Sequence, residues 1–202
     1  MTTARHDGLF PPVMDLNQDP DARPRPTGED VPRRSDELRP QDAEAARVWD
    51  VAATVTDPEI PVLSIADLGI LRETRVERDG TAVVVITPTY SGCPAMDTIA
   101  ADVQQALAED GRERMRLETV LDPAWTTDWM TDEGRAKLDA YGIAPPTGRS
   151  AAGGKVGLTL SVRCPHCGSP STRELTRFGS TSCKALWVCG SCHEPFDHFK
   201  VH

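Results

Sequence analysis

The sequence predicts an α+β fold: a small domain in the order α-β-β-α-β-α, followed by a cysteine-rich module and preceded by a disordered extension. Three observations predict it. Two apolar stripes at helical spacing flank a run of β-formers interrupted by Asp79-Gly80. A third, alternating run and a capped segment follow. Five of the six cysteines then fall after residue 163.

The first helix begins near Gln41. Ala45, Val48, Trp49, Ala52 and Val55 recur at i, i+3, i+4 and i+7, which places them on one helical face. Pro58, in "TDPEIP", ends that helix and biases Asp57 away from helical dihedrals. The stretch "GILRETRVERDGTAVVVITPT" reads as a hairpin of β-formers around a two-residue Asp79-Gly80 turn. After Pro94 a second stripe runs through Met96, Ile99, Ala100, Val103, Ala106 and Leu107, closed by Gly111. Met115, Leu117, Thr119 and Leu121 alternate as a third strand. Thr131 is the expected N-cap of a last short helix, which Gly142 and Pro145 terminate.

These elements define a domain at 41–145. Residues 1–40, with "DARPRPTGEDVPRR", carry little periodic apolar pattern and are expected to be disordered, because they cannot bury enough surface to offset chain entropy. Residues 146–156, within "APPTGRSAAGGK", have linker composition, and 157–202 form the cysteine-rich module.

Charge excludes some partners. Residues 41–145 carry 20 acidic and 9 basic side chains, and 158–202 carry 3 and 5. The acidic block repels a phosphate backbone and the module's excess is no basic patch, so nucleic acid is not an expected partner. No apolar run reaches membrane-spanning length. The N-terminus lacks the pattern of a secretory signal, so a cytoplasmic, thiol-reducing home is expected.

In that setting paired cysteines read as metal ligands. Cys164-x-x-Cys167 and Cys189-x-x-Cys192 are separated by about a zinc-ribbon loop. Two intervening residues let a tight turn aim both sulfurs at one point, and Pro165 and Gly168 suit such a knuckle. Four thiolates leave no open position, so the expected ion is a structural zinc. A module this short and this poor in apolar side chains needs the ion for its stability. Iron in the same sulfurs, giving a rubredoxin-like electron carrier, is the alternative. A Rieske centre does not fit, because "CGSC" lacks the second histidine. His166 and His193 read as solvent-facing knuckle residues, and Cys183 as a buried apolar thiol, with an alternate ligand or reactive group as its other reading.

Cys93, in "SGCP", stands apart. Pro94 suits the first helical position, which puts Cys93 at the N-cap, where amides and the helix dipole favour thiolate. The candidate co-ligands are Asp57 and Glu59 of "DPEIPV", with Asp67 of "ADLG" as a third; each also has an ordinary reading as a turn residue. The other reading of Cys93 is a small apolar cap. No histidine lies between residues 7 and 165, so no Cys/His pair is legible here, and no phosphate loop is present.

"DPEIPVLSIADLGI" and "TPTYSGCPAM" resemble the small domain of SufT-like iron–sulfur assembly proteins, in which a lone cysteine in such a loop is a key residue; here that is Cys93. With "LDPAWTTDWMTDEGRAKLDAYGIAPP", "ELTRFGSTSCKALW" and "EPFDHFK", the resemblance from 41 to 202 narrows to the PaaD (PaaJ) family of accessory proteins of phenylacetyl-CoA epoxidase systems. That resemblance implies phenylacetate catabolism. Its partners would be a di-iron oxygenase subunit and a reductase, and the iron–sulfur assembly machinery. It implies a maturation role, in which transient iron or an iron–sulfur centre is held at Cys93 with Asp57 and Glu59, and no catalytic site of its own. A rubredoxin-like electron-transfer subunit and a non-catalytic bridging module are the alternatives. They differ in a cheap observable, since an iron tetrathiolate is coloured and a zinc one is not.

Overall fold

The computed structural model describes residues 34–90, 92–147 and 162–201. The expectations for residues 1–33 and for most of the 146–156 linker lie outside them. Structure is already present ahead of Gln41: Ser35–Leu38 form a 3-10 turn, and Arg34 makes a two-pronged ion pair with Asp132 at 2.7 and 3.1 Å.

Helix α1 (Ala43–Ala52) is capped by Asp42, whose carboxylate accepts from the Ala45 N–H at 2.9 Å. Its buried residues are Ala45, Ala46, Val48, Trp49 and Ala52; Val55 of the expected stripe is buried too, but beyond the helix end. The helix stops earlier than Pro58 requires. The chain then makes β1 (Thr56–Asp57) and β2 (Ile60–Ser64), a small antiparallel pair that the sequence pattern does not predict. Asp57 makes this turn: its Oδ1 accepts from the Glu59 and Ile60 N–H groups at 2.8 and 2.9 Å.

Strands β3 (Leu71–Val76) and β4 (Ala82–Ile86) form the expected hairpin, with Val76 opposite Ala82. Its turn is longer than two residues. Glu77 and Thr81 still pair through their backbones, and Gly80 closes a three-residue loop at φ 84°. All five β4 residues are buried, as suits the central strand of the order β3-β4-β5. Helix α2 (Ala95–Glu109) lays Ala95, Ile99, Val103 and Leu107 inward and connects β4 to β5 (Met115–Thr119), which runs parallel to it. The third strand ends before Leu121, which is 62% exposed.

Gly69 sits between β2 and β3 at φ 73°, and a Cβ there would lie 2.7 Å from both Cβ and O of Trp129. The absence of a side chain lets the Thr127–Trp129 3-10 turn close over the domain. Thr131 caps α3 (Asp132–Ala140) by accepting from the Gly134 N–H at 2.9 Å, as expected. Asp67 holds the same helix: Lys137 Nζ reaches its Oδ2 at 2.9 Å and the Thr131 backbone N–H reaches its carbonyl at 3.0 Å.

Beyond α3 the chain does what its composition does not announce. The two-residue strand β6 (Ile143–Ala144) pairs in parallel with β9 (Pro195–Phe199), at the far end of the sequence. With β7 (Thr172–Thr176) and β8 (Lys184–Cys189) these make one sheet, in the order β6-β9-β8-β7. The cysteine module is therefore joined to the α+β body by a shared sheet. Trp125 and Phe199 pack edge to face across that seam, and both are buried.

Candidate functional site

The four knuckle cysteines converge. Cys164 Sγ lies 3.7 Å from Cys192 Sγ, and Cys167 Sγ lies 3.6 Å from Cys189 Sγ. The four sulfurs all lie within 4.8 Å of one another. Four sulfurs at about 2.3 Å from a central zinc have edges of about 3.8 Å, so this spacing fits a tetrahedral ion. Both knuckles use one backbone device. The residue after the second cysteine adopts a left-handed conformation: Gly168 at φ 72° in one, His193 at φ 64° in the other. The Ser191 and Cys192 N–H groups donate to Cys189 Sγ at 3.3 and 3.5 Å. The Cys192 amide, with Ser191 behind it, brings the Cys189 thiol down to about 6. His166 and His193 are exposed. Cys164 and Cys189 back onto Val162, Phe196 and, from the α+β body, Ala144. The quartet is a metal-binding cluster closed by four sulfurs.

Cys93 is half-buried at the entrance to α2. The helix starts at Ala95 with Pro94 in the cap position, one residue later than the N-cap assignment to Cys93 expects. The sulfur still meets the helix end, since the Ala95 N–H and the Thr89 hydroxyl both donate to it. The expected thiolate, however, is corrected. Burial pushes the Cys93 thiol up, the carboxylates of Asp57 and Glu59 push it further, and the two donors do not compensate. Those causes favour the thiol over the thiolate at Cys93.

Asp57 is 7% exposed, and burial raises its carboxyl above the ordinary range in spite of the two amides it accepts from. Asp57 thus fills its turn role and is also an electrostatic neighbour of Cys93. Asp67 does not belong here. Burial pushes its carboxyl up, but Lys137 and the Ser64 donors outweigh this and hold it below the usual range, as befits a residue that anchors α3. Among the described residues, no group of three or more potential ligands other than the quartet lies within 4.8 Å. Cys93, Asp57 and Glu59 are not such a group; the two acids reach Cys93 only through their charge. Thr87, which opens the loop leading to Cys93, is 1% exposed, and its hydroxyl has no partner among the described residues.

Two residues of the ribbon share this neighbourhood. Cys183 is 8% exposed, and its thiol is raised by burial and then by Glu59 and Asp57. Lys184, 5% exposed, has its Nζ 3.7 Å from Asp197 Oδ2 and acts electrostatically on Asp57. Cys183 is the buried thiol that its sequence context predicts, whereas nothing in the sequence singles out Lys184. A lysine buried in a strand is a signal only once the acids that balance it, Asp197 on the next strand and Asp57 far upstream, are known.

Comparison with known proteins then decides the family. Residues 149–200 match the PaaD zinc beta ribbon domain, and residues 45–113 match the iron–sulfur cluster assembly protein family. Over 153 residues the chain is 46% identical to an Escherichia coli protein named as one component of a "Putative 1,2-phenylacetyl-CoA epoxidase", covering 76% of this chain and 90% of that one. The chain belongs to the PaaD family. Its α+β part has relatives of its own. It is 36% identical over 86 residues to an "Fe-S protein maturation auxiliary factor" of Porphyromonas gingivalis, covering 42% of this chain and 81% of that protein. It is 33% identical over 85 residues to the "Fe-S protein maturation auxiliary factor SufT" of Staphylococcus aureus, covering 42% of this chain and 96% of that protein. This PaaD-family chain thus combines a SufT-like domain with a zinc ribbon. Among the described residues, no helix is long and apolar enough to cross a membrane.

Proposed function

We propose that this chain is an accessory, maturation subunit of a multicomponent 1,2-phenylacetyl-CoA epoxidase in phenylacetate breakdown. In this reading it delivers iron or an iron–sulfur centre to a partner protein and does not itself catalyse epoxidation. The observation that carries the reading is the contrast between its two sulfur sites. The quartet is saturated and set within a shared sheet, which suits a structural zinc. Cys93 is half-buried, its thiol form favoured by burial and by the charges of Asp57 and Glu59.

That electrostatic setting suits cation cargo. The carboxylates that oppose a bare thiolate attract a metal cation, and the arriving cation displaces the thiol proton to solvent. The Ala95 amide and the Thr89 hydroxyl then steady the sulfur's charge. Because the thiol regains its proton readily once the cation leaves, the same groups favour release. Zinc in the quartet would keep the ribbon folded against the body while Cys93 cycles.

The test assembles the epoxidase with wild-type or Cys93→Ser protein and measures iron–sulfur content and ring-epoxidising activity. The reading requires both to fall with the variant; full content and activity would end it. A second reading rests on the quartet itself, since a tetrahedron of thiolates also takes iron. In that case the chain would be a rubredoxin-like electron-transfer subunit. Visible absorbance and one iron per chain in iron-replete protein would support it; colourless protein with one zinc would rule it out.

A further inference from the structure

An open cavity of about 400 Å³ lies where α3 meets the first knuckle. Helix α3 lines it with Arg135, Ala136 and Asp139, the chain at and after β6 with Ala144, Pro145 and Thr147, and the ribbon with Arg163, one residue before Cys164. Arg135 is pinned from behind: its Nη1 and Nη2 donate to the Pro146 and Thr127 carbonyls at 3.0 and 2.6 Å. Arg163 donates through Nη1 to the Gly168 carbonyl at 3.2 Å. All three acceptors are uncharged, and neither guanidinium makes an ion pair among the described residues. Asp132, one turn before Arg135, is itself engaged by Arg34. Most of the N–H donors of the two forks are therefore left over. The Thr147 hydroxyl is shut off from solvent and has no hydrogen-bond partner among the described residues, an arrangement that costs stability unless something fills it.

We propose that this cavity binds a small organic acid, with its carboxylate on Arg135 and Arg163 and its apolar body on Ala136, Ala144 and Pro145. The charges select the head. Two guanidiniums against the single carboxylate of Asp139 leave one net positive charge, which a monoanion neutralises and a doubly charged phosphate exceeds. A planar carboxylate takes two parallel N–H bonds from a guanidinium fork, and a fork already pinned on its other side loses little freedom in making them. The Thr147 hydroxyl supplies one more donor at the same wall. The size selects the body. A cavity at the lower end of the range for small-ligand sites takes a ring or a short chain, and its open mouth makes for weak, exchangeable binding. The acid is bound unchanged. Its place gives the binding a consequence: Ala144 belongs to β6, which pairs with β9, while Arg163 leads into the knuckle. A ligand there joins body to ribbon at a second point besides the Trp125–Phe199 contact. The inference goes beyond the carrier reading and stands without it, since none of the lining residues takes part in holding cargo at Cys93.

The test takes the full chain with zinc in the quartet and follows its backbone amides by NMR at constant ionic strength. Three probes are titrated separately: sodium phenylacetate, 2-phenylethanol and inorganic phosphate. Phenylacetate is expected to shift the amides of Arg135, Ala144, Thr147 and Arg163 saturably, with a Kd near ~1 mM. The neutral alcohol, which keeps the ring and lacks the charge, should bind at least about tenfold more weakly, and phosphate, which lacks the ring, should also be weaker. Arg163→Gln should weaken phenylacetate about tenfold with zinc content unchanged. Because Arg135 also holds two backbone carbonyls, its side is tested by Ala136→Glu, which sets a negative charge at the mouth and leaves those bonds in place; it should weaken phenylacetate by a similar factor. No saturable shift up to about 10 mM overturns the proposal. So does phenylethanol or phosphate that binds as well as phenylacetate, or undiminished binding in both variants.

Discussion

Phe199, in the last strand, meets Trp125 of the α+β body edge to face, with ring centroids 6.3 Å apart and planes at 60°. Phe199 is 1% exposed, and Trp125 is held in turn by its indole N–H, which donates to the Leu68 carbonyl at 3.0 Å. The contact ties the ribbon to the loop that follows β2. Phe199→Ala is expected to lower stability by about 3–5 kcal/mol, measured by urea unfolding with the metal bound. A loss under about 1 kcal/mol would show that the seam is held elsewhere.

Removing one ligand should undo more than a knuckle. Cys189→Ser is expected to bring zinc content to near zero, because three sulfurs and a hydroxyl are a far poorer site. Since Cys189 ends β8 and β8 pairs with β9, amide-exchange protection should fall in both strands and in β6. Protection of β6 and β9 that survives metal loss would mean the shared sheet stands without the ion.

Cys93 reactivity should respond to its acids in a defined direction. Burial and then Asp57 and Glu59 raise its thiol, so neutralising either acid lowers it and increases the thiolate fraction. At pH 8, with zinc protecting the quartet, alkylation of Cys93 should be roughly threefold faster in Glu59→Gln. Asp57→Asn should act likewise, since an asparagine oxygen can still accept from the Glu59 and Ile60 amides. Slower alkylation in both variants would contradict this arrangement.

His198 sets part of the acid limb of stability. It is 4% exposed, packs its ring against Trp187 with centroids 5.6 Å apart, and leaves Nε2 without a partner among the described residues. Burial brings it from 6.5 down to about 4. Above 6.5 the imidazole is neutral in both folded and unfolded chains, and its contribution is complete. As pH falls from 6.5 towards 4, the unfolded chain takes a proton that the folded one refuses, and up to about 3 kcal/mol is lost. His198→Gln should flatten that decline in a pH series of unfolding midpoints. An identical acid limb in both proteins would refute the assignment.

What the sequence determined by itself is whatever local spacing dictates. The quartet was legible because two residues between cysteines suffice to aim both sulfurs, whatever lies around them. The buried face of α1, the β3–β4 pairing and the Thr131 cap were legible for the same reason, since each depends on neighbours a few residues away. Tertiary structure alone decided the rest. It made strands of Thr56–Asp57 and Ile143–Ala144, which are too short to show a period and exist through their partners. It reversed the expected charge state of Cys93, because the helix end is local but desolvation and the Asp57–Glu59 field are not. It brought Cys183 and Lys184 to acids more than a hundred residues earlier, through a parallel pairing of β6 with β9. Burial and long-range electrostatics depend on the whole packed chain, and no window of sequence contains them.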